Sequence, residues 1–157
     1  MEDLKYYNEY GGFSQDGKEY CIKVNSENSL PTVWSLCMAN ENFGTIVTEN
    51  MGGFTYYKNS RLGKITAWSN DAIIDSPSEI IYMQDEDTSK TWTITSSPMP
   101  DEEDYFITYG FGYAKYKHIS SDIYQEAEVF VPQKDTVKLH ILKLRNNIVK
   151  AKKIKII

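Results

Sequence analysis

Helical periodicity is the first thing this chain lacks. No segment of its 157 residues repeats apolar side chains at i, i+3, i+4 and i+7 between capping residues. Histidine and cysteine are scarce, at two each. No cluster of His, Cys and carboxylate stands at metal-ligand spacing, so no metal or other cofactor is expected. The run Asp85-Glu86-Asp87 lacks a calcium-loop pattern and reads as a hairpin turn. No phosphate-cradling glycine loop precedes a helix, and no G-x-S-x-G elbow appears. No stretch approaches the roughly 20 apolar residues of a membrane span, and the first residues hold no apolar signal core. A clustered basic face is also missing. The net charge is −5, with acids gathered at 85–87 and 101–104, which argues against nucleic acid as a partner. The one Lys-rich run, 150–155, is interleaved with Ile148, Ala151, Ile154 and Ile156 and reads as a strand with one solvated face. Cys21 and Cys37 could be buried thiols or a disulfide. With no secretion signal in view they read as reduced thiols, in a cytoplasmic setting. His140 lies opposite the apolar phase of its segment and reads as a surface residue, whereas His118 could reach a binding site at a strand end.

What the chain has is aromatic side chains in alternating patterns. Aromatics make up 13%, and twelve residues are Tyr. Tyr and Trp bury a ring while keeping a polar edge, which suits strands and sugar sites alike. Period-two runs recur: 6–13 and 20–24 around Asp16-Gly17, then 33–38, 43–48, 54–57, and a hairpin of 79–84 with 90–95 whose inner face carries Trp92 and Ile94. Tyr105, Ile107, Tyr109, Phe111 and Tyr113 recur at every second position and predict one strand with a bulky face and a small face. Residues 124–131 predict another strand. The phase slip at Ile141-Leu142 predicts a bulge in the next, and Leu144-Arg145-Asn146-Asn147 reads as a turn. The expectation is an all-β, antiparallel β-sandwich of nine to eleven strands, one domain over residues 1–157. Because 153–157 stops inside an alternating run, the sandwich is expected to be truncated, a piece of a longer protein.

The stretch from Gly52 to Asp71 differs from the rest. Residues 54–57 are strand-like, but 58–71 are too polar for a core strand and too irregular for a helix. They predict a long structured loop. Aromatic faces stack on the C–H face of a pyranose, and Asn, Arg and Asp bond its hydroxyls. Arg61 and Asp71 could equally pair with each other, with Trp68 as the plug of the loop. The acids elsewhere lie mostly in loops with no apolar flank to raise a pKa, so no carboxylate pair for glycoside chemistry is expected within the segment.

Tyr57-Lys58-Asn59-Ser60-Arg61-Leu62, Ile65-Thr66 and Trp68-Ser69-Asn70-Asp71 resemble the signature of the N-terminal β-sandwich domain of inverting glycoside phosphorylases. This group is glycosyltransferase family 36, now glycoside hydrolase family 94. It includes cellobiose, cellodextrin, chitobiose and β-1,2-oligoglucan phosphorylases and part of the cyclic β-1,2-glucan synthases. Leu30-Pro31-Thr32-Val33-Trp34, Ala39-Asn40-Glu41-Asn42-Phe43-Gly44, Pro77-Ser78-Glu79, Gly110-Phe111-Gly112-Tyr113, Phe130-Val131-Pro132 and Leu144-Arg145-Asn146 extend the resemblance over nearly the whole chain. It departs at Gly63, where a polar residue is usual, and at Ala67, where Pro or Arg is usual.

The resemblance implies a supersandwich of the galactose-mutarotase type, followed by a helical linker and an (α/α)6 barrel. It places the catalytic Asp and the phosphate site in that barrel. It implies inorganic phosphate as co-substrate, a β-linked gluco-oligosaccharide as partner, and a homodimer. It assigns Tyr57, Asn59, Arg61, Trp68, Asn70 and Asp71 to substrate binding, with no catalytic residue in this segment, which is then inactive alone. The alternative is a stand-alone carbohydrate-binding or dimerisation module.

Overall fold

The computed structural model describes residues 3–71 and 73–157, and the elements among them are all strands. In chain order these are β1 (Gly11–Phe13), β2 (Tyr20–Val24), β3 (Ser35–Ala39), β4 (Phe43–Thr48), β5 (Gly53–Tyr57), β6 (Tyr82–Asp85), β7 (Thr91–Thr93), β8 (Tyr105–Gly110), β9 (Tyr113–Ser120), β10 (Ile123–Phe130), β11 (Leu139–Asn146) and β12 (Ile154–Ile156). The twelve exceed the nine to eleven expected because several are only three residues long.

One antiparallel sheet runs β1-β2-β8-β9-β10-β11. Two three-stranded sheets, β3-β4-β5 and β12-β6-β7, are also antiparallel throughout. Period-two alternation decides how they stack. Ile22 and Val24 of β2, Tyr105 and Ile107 of β8, Ala114 and Tyr116 of β9, and Ala127 and Val129 of β10 share one face of the large sheet. Met38 and Val47 from one small sheet, and Met83 and Trp92 from the other, meet that face in a single core. The expected sandwich is therefore present, with both small sheets on the same side.

Polar pins fix the two layers against each other. The Trp92 ring is fully buried, and its Nε1–H donates to Gln125 Oε1 at 2.8 Å. The Tyr116 hydroxyl donates to the Thr48 carbonyl at 2.7 Å, and the Tyr109 hydroxyl to that of Trp34 at 2.9 Å. Buried rings of this kind contribute by apolar area. Their polar tips would cost energy if left unpaired, so the pins also select one arrangement of the layers.

Three sequence expectations change. The single strand expected over 105–113 is a hairpin, with β8 and β9 joined by Phe111-Gly112. Gly112 sits at φ +85°, which a side-chain-bearing residue rarely adopts, and Phe111 is 85% exposed at the tip. Alternation continues across the turn and hides it. The bulge expected at Ile141-Leu142 is absent: β10 and β11 pair without a skip from Ile123↔Asn146 to Phe130↔Leu139. The slipped phase instead reflects an edge strand with apolar residues on both faces, Leu139, Ile141 and Leu144 all being exposed. The same pairing carries 144–146 as strand rather than turn.

Candidate functional site

The 52–71 stretch is built on β5. After Tyr57 the chain turns at Lys58, held at φ 58°, and Asn59 organises the tip of the loop. Its Oδ1 accepts the backbone N–H of Arg61 and of Leu62, each at 2.9 Å, closing an Asx turn. Gly63 N–H donates to the Asn59 carbonyl at 2.7 Å, and Tyr57 N–H donates to the Gly63 carbonyl at 2.9 Å. A Cβ on Gly63 would collide with the Tyr57 carbonyl oxygen, so this close approach requires glycine. Gly63 is thus the residue that lets the turn close. The chain then returns beside β5: Tyr56 bridges Lys64, Ile65 N–H donates to the Thr55 carbonyl at 2.8 Å, and Thr55 N–H donates to Thr66 Oγ1 at 2.9 Å. The long loop is a hairpin-like return, ordered by its own backbone.

That return delivers Trp68 onto Phe54. The rings stack with centroids 5.2 Å apart and planes 21° apart, and Lys64 Nζ lies 4.7 Å from the Phe54 ring centre. Thr66, Ala67, Trp68 and Ser69, with Ser76, Pro77 and Ser78, line an open groove of about 290 Å³. A half-buried indole beside hydroxyls and a proline is suited to a sugar ring.

The six sequence-predicted site residues do not converge. Only Trp68 lines this groove. Tyr57 is exposed beside Lys58, whose Nζ lies 5.3 Å from its ring centre. Asn59 spends Oδ1 on its own turn, and Arg61 is exposed on that turn. Asn70 is exposed at φ 54°. Asp71 Oδ1 accepts the N–H groups of Ile73 and Ile74 at 2.8 and 2.9 Å, and these bonds hold its carboxyl below the usual carboxylate range. Asp71 thus caps the next turn, and no ion pair joins it to Arg61 among the described residues.

A second cavity of about 280 Å³ lies where the 25–33 loop meets Glu49, Asn50 and the segment 73–75. Glu49 is 6% exposed and accepts the Trp34 N–H at 3.0 Å. Burial raises its pKa to about 7, and the Asp75 carboxylate adds to the rise against the backbone N–H bonds that oppose it. Asp75 in turn accepts the Asn50 N–H at 3.3 Å. Sequence patterning predicts no acid with a raised pKa. Glu49 differs because tertiary packing of a distant loop buries it, and only its flank of Val47 and Met51 hints at this.

His118 is buried rather than open at a strand end. It is 1% exposed and stacked on Tyr105, with ring centres 3.8 Å apart. Its Nδ1 is 3.0 Å from the Asp104 carbonyl and its Nε2 3.0 Å from Asp101 Oδ1, so it clamps the acidic 101–104 loop onto β9. His140 is exposed, as expected, and lies 3.3 Å from Glu79. Both cysteines are free thiols, Cys37 being exposed.

A family model described as the supersandwich domain of glycosyl hydrolase 94 matches residues 18–157. The chain belongs to this family. Among its relatives, the cyclic beta-(1,2)-glucan synthase NdvB of Rhizobium meliloti (strain 1021) is 30% identical over 155 residues, 98% of this chain and 6% of that protein. The N,N'-diacetylchitobiose phosphorylase of Vibrio proteolyticus is 27% identical over 140 residues, and that of Vibrio furnissii 25% over 140, each covering 87% of this chain and 17% of the relative. The chain therefore spans a small part of the curated relatives it matches. Among the described residues of this supersandwich, no helix is long and apolar enough to cross a membrane.

Proposed function

We propose that this supersandwich is the N-terminal carbohydrate-site domain of an inverting β-glucoside phosphorylase or glycosyltransferase acting on β-linked gluco-oligosaccharides. One observation carries the reading: the family's signature loop folds into an ordered return that sets Trp68 beside a sugar-sized groove. Its relatives include a glucan synthase and two chitobiose phosphorylases, which supports an oligosaccharide partner. On this reading the general acid and the phosphate co-substrate are held elsewhere in a longer, cytoplasmic protein. The present residues shape and desolvate one side of the sugar site. Asn59 and Asp71 act by fixing turns, and Arg61 and Asn70 are the polar groups left to reach a hydroxyl.

Titration of the isotope-labelled chain with cello- and sophoro-oligosaccharides tests this. Shifts at 66–69 and 76–78 that saturate are the expected result. No perturbation there at millimolar sugar would overturn it.

A second reading, a dimerisation surface, is favoured by the exposed apolar side chains on the same loop and its exit. Leu62 is 85% exposed and Ile73 88%. Sedimentation of the chain and of Leu62→Ser separates the two, because only a dimer contact makes that substitution change mass while leaving sugar affinity intact.

A further inference from the structure

The outer face of the six-stranded sheet carries a feature that the signature loop does not use. Alternation sends Tyr105 and Ile107 of β8 into the core, so Phe106 between them points outward. The same alternation sends Lys117 and Ile119 of β9 and Tyr124 of β10 to that outer face, opposite the buried His118 and Gln125. The register Phe106↔Lys117 and Ile119↔Tyr124 places the two aromatic residues on either side of β9, diagonally across it. Between them is a hollow of about 210 Å³, lined also by Glu103, Asp104, Lys117, His118 and Ile119.

We propose that this hollow is a second carbohydrate subsite, which takes a single pyranose ring between Phe106 and Tyr124. Its volume lies below the roughly 300–1,000 Å³ of sites for larger ligands, so one ring rather than an oligosaccharide enters it. Two flanking aromatics offer faces to the C–H surfaces of the ring. The lining supplies the Glu103 carboxylate to accept a hydroxyl proton and the Lys117 ammonium to donate, while Asp104 is held by Lys23 and Asn25. The lining is mostly apolar with charged groups beside it, which suits the amphipathic faces of a sugar ring, and its acids disfavour a phosphate-bearing ligand.

The walls are already braced. Lys23 Nζ is 5.9 Å from the Phe106 ring centre and 2.6 Å from Asp104 Oδ2. The Arg145 guanidinium carbon is 5.0 Å from the Tyr124 ring centre, and the Tyr124 hydroxyl donates to Glu126 Oε2 at 2.8 Å. Braced side chains lose less freedom when a ligand arrives, so more of the contact energy appears as affinity. The subsite lies on the face of the large sheet opposite to the one that the β3-β4-β5 layer, with Phe54 and Trp68, packs against. It draws on the family's carbohydrate chemistry but not on the Trp68 groove.

The test is a titration of the isotope-labelled full chain with sophorose and with cellobiose, repeated for Phe106→Ala, Tyr124→Phe, Tyr124→Ala and Trp68→Ala, each first checked for an unchanged melting temperature. Saturating shifts at 103–106, 117–119 and 124 are expected. Phe106→Ala and Tyr124→Ala should each weaken that binding by about fivefold or more, while Tyr124→Phe, which keeps the ring, and Trp68→Ala should not. No shifts at those positions up to about 20 mM of either sugar, or shifts unaltered by Phe106→Ala, would overturn the subsite. Loss of shifts at 66–69 with those at 117–119 retained would instead fall on the Trp68 groove alone.

Discussion

Trp68 stacks on Phe54, with the ring centres 5.2 Å apart and the planes inclined by 21°. The tryptophan of the signature loop is therefore held by the strand from which that loop departs. Phe54 is 6% exposed, its ring covered by Tyr56, Trp68 and Lys64. Removing either ring should affect the groove differently. Trp68→Ala removes the ring that lines the groove and, on the proposed function, should abolish sugar-induced shifts at 66–69 and 76–78. Phe54→Ala should cost about 3–5 kcal/mol of stability, read by denaturant unfolding, as well as weakening binding.

Gly63 gives a sharper test of the turn. Gly63→Ala puts a methyl against the Tyr57 carbonyl and must open the turn or tilt the peptide. Amide exchange at 57 and 63 should accelerate, because the bonds from Tyr57 N–H to the Gly63 carbonyl and from Gly63 N–H to the Asn59 carbonyl are the ones displaced. Global stability should fall by only about 1–3 kcal/mol, because the turn is peripheral to the core. Unchanged exchange at both amides would contradict the geometry.

Glu49 makes stability depend on pH in the less usual direction. Its folded pKa of about 7 lies above its ordinary 4.5, so the folded state binds the proton more tightly. The stabilisation is complete below about pH 4.5 and is lost as pH rises through about 7. Glu49→Gln should flatten this part of the pH profile. Above pH 7 it should be more stable than the parent by up to about 3 kcal/mol, as measured by urea unfolding. A parent profile that rises between pH 4.5 and 7 relative to the variant would refute the assignment.

Glu79 should act at the other end. Burial alone would raise its pKa, but hydrogen bonds from His140 and Lys138, with their charges, hold it down at about 2. Its contribution is therefore present above about pH 4.5 and is lost as pH falls toward 2. Glu79→Gln should remove that acid-side loss, visible as a smaller drop in melting temperature between pH 5 and 3.

The Trp92–Gln125 pin tests the layer packing. Gln125→Leu leaves the buried Trp92 N–H without an acceptor and should cost about 1–3 kcal/mol. Trp92→Ala should cost about 3–5 kcal/mol through the cavity it opens. If both cost less than 1 kcal/mol, the two layers are not held as described.

Strands, and the face each one buries, could be read from the sequence wherever alternation is clean. Ile22 and Val24, Trp92 and Ile94, and Ala127 and Val129 all lie where period two places them. The β8–β9 turn could not, because Tyr105 to Tyr113 keeps the same period through Phe111-Gly112. The signature loop was recognisable as a loop, but its six marked residues serve different ends. Asn59 and Asp71 bond their own backbones, and a short polar side chain at a turn looks the same in sequence as one aimed at a ligand.

The amino-acid sequence by itself determined the all-β class, the family and the presence of the long polar loop, because period-two patterning and local motifs are short-range properties of the chain. Tertiary structure alone decided that two small sheets share one face of the large one, that Glu49 is buried and His118 clamped, and that Phe106 and Tyr124 flank one hollow. Each of these depends on residues far apart in sequence meeting across a register or a layer, and no local pattern encodes such a meeting.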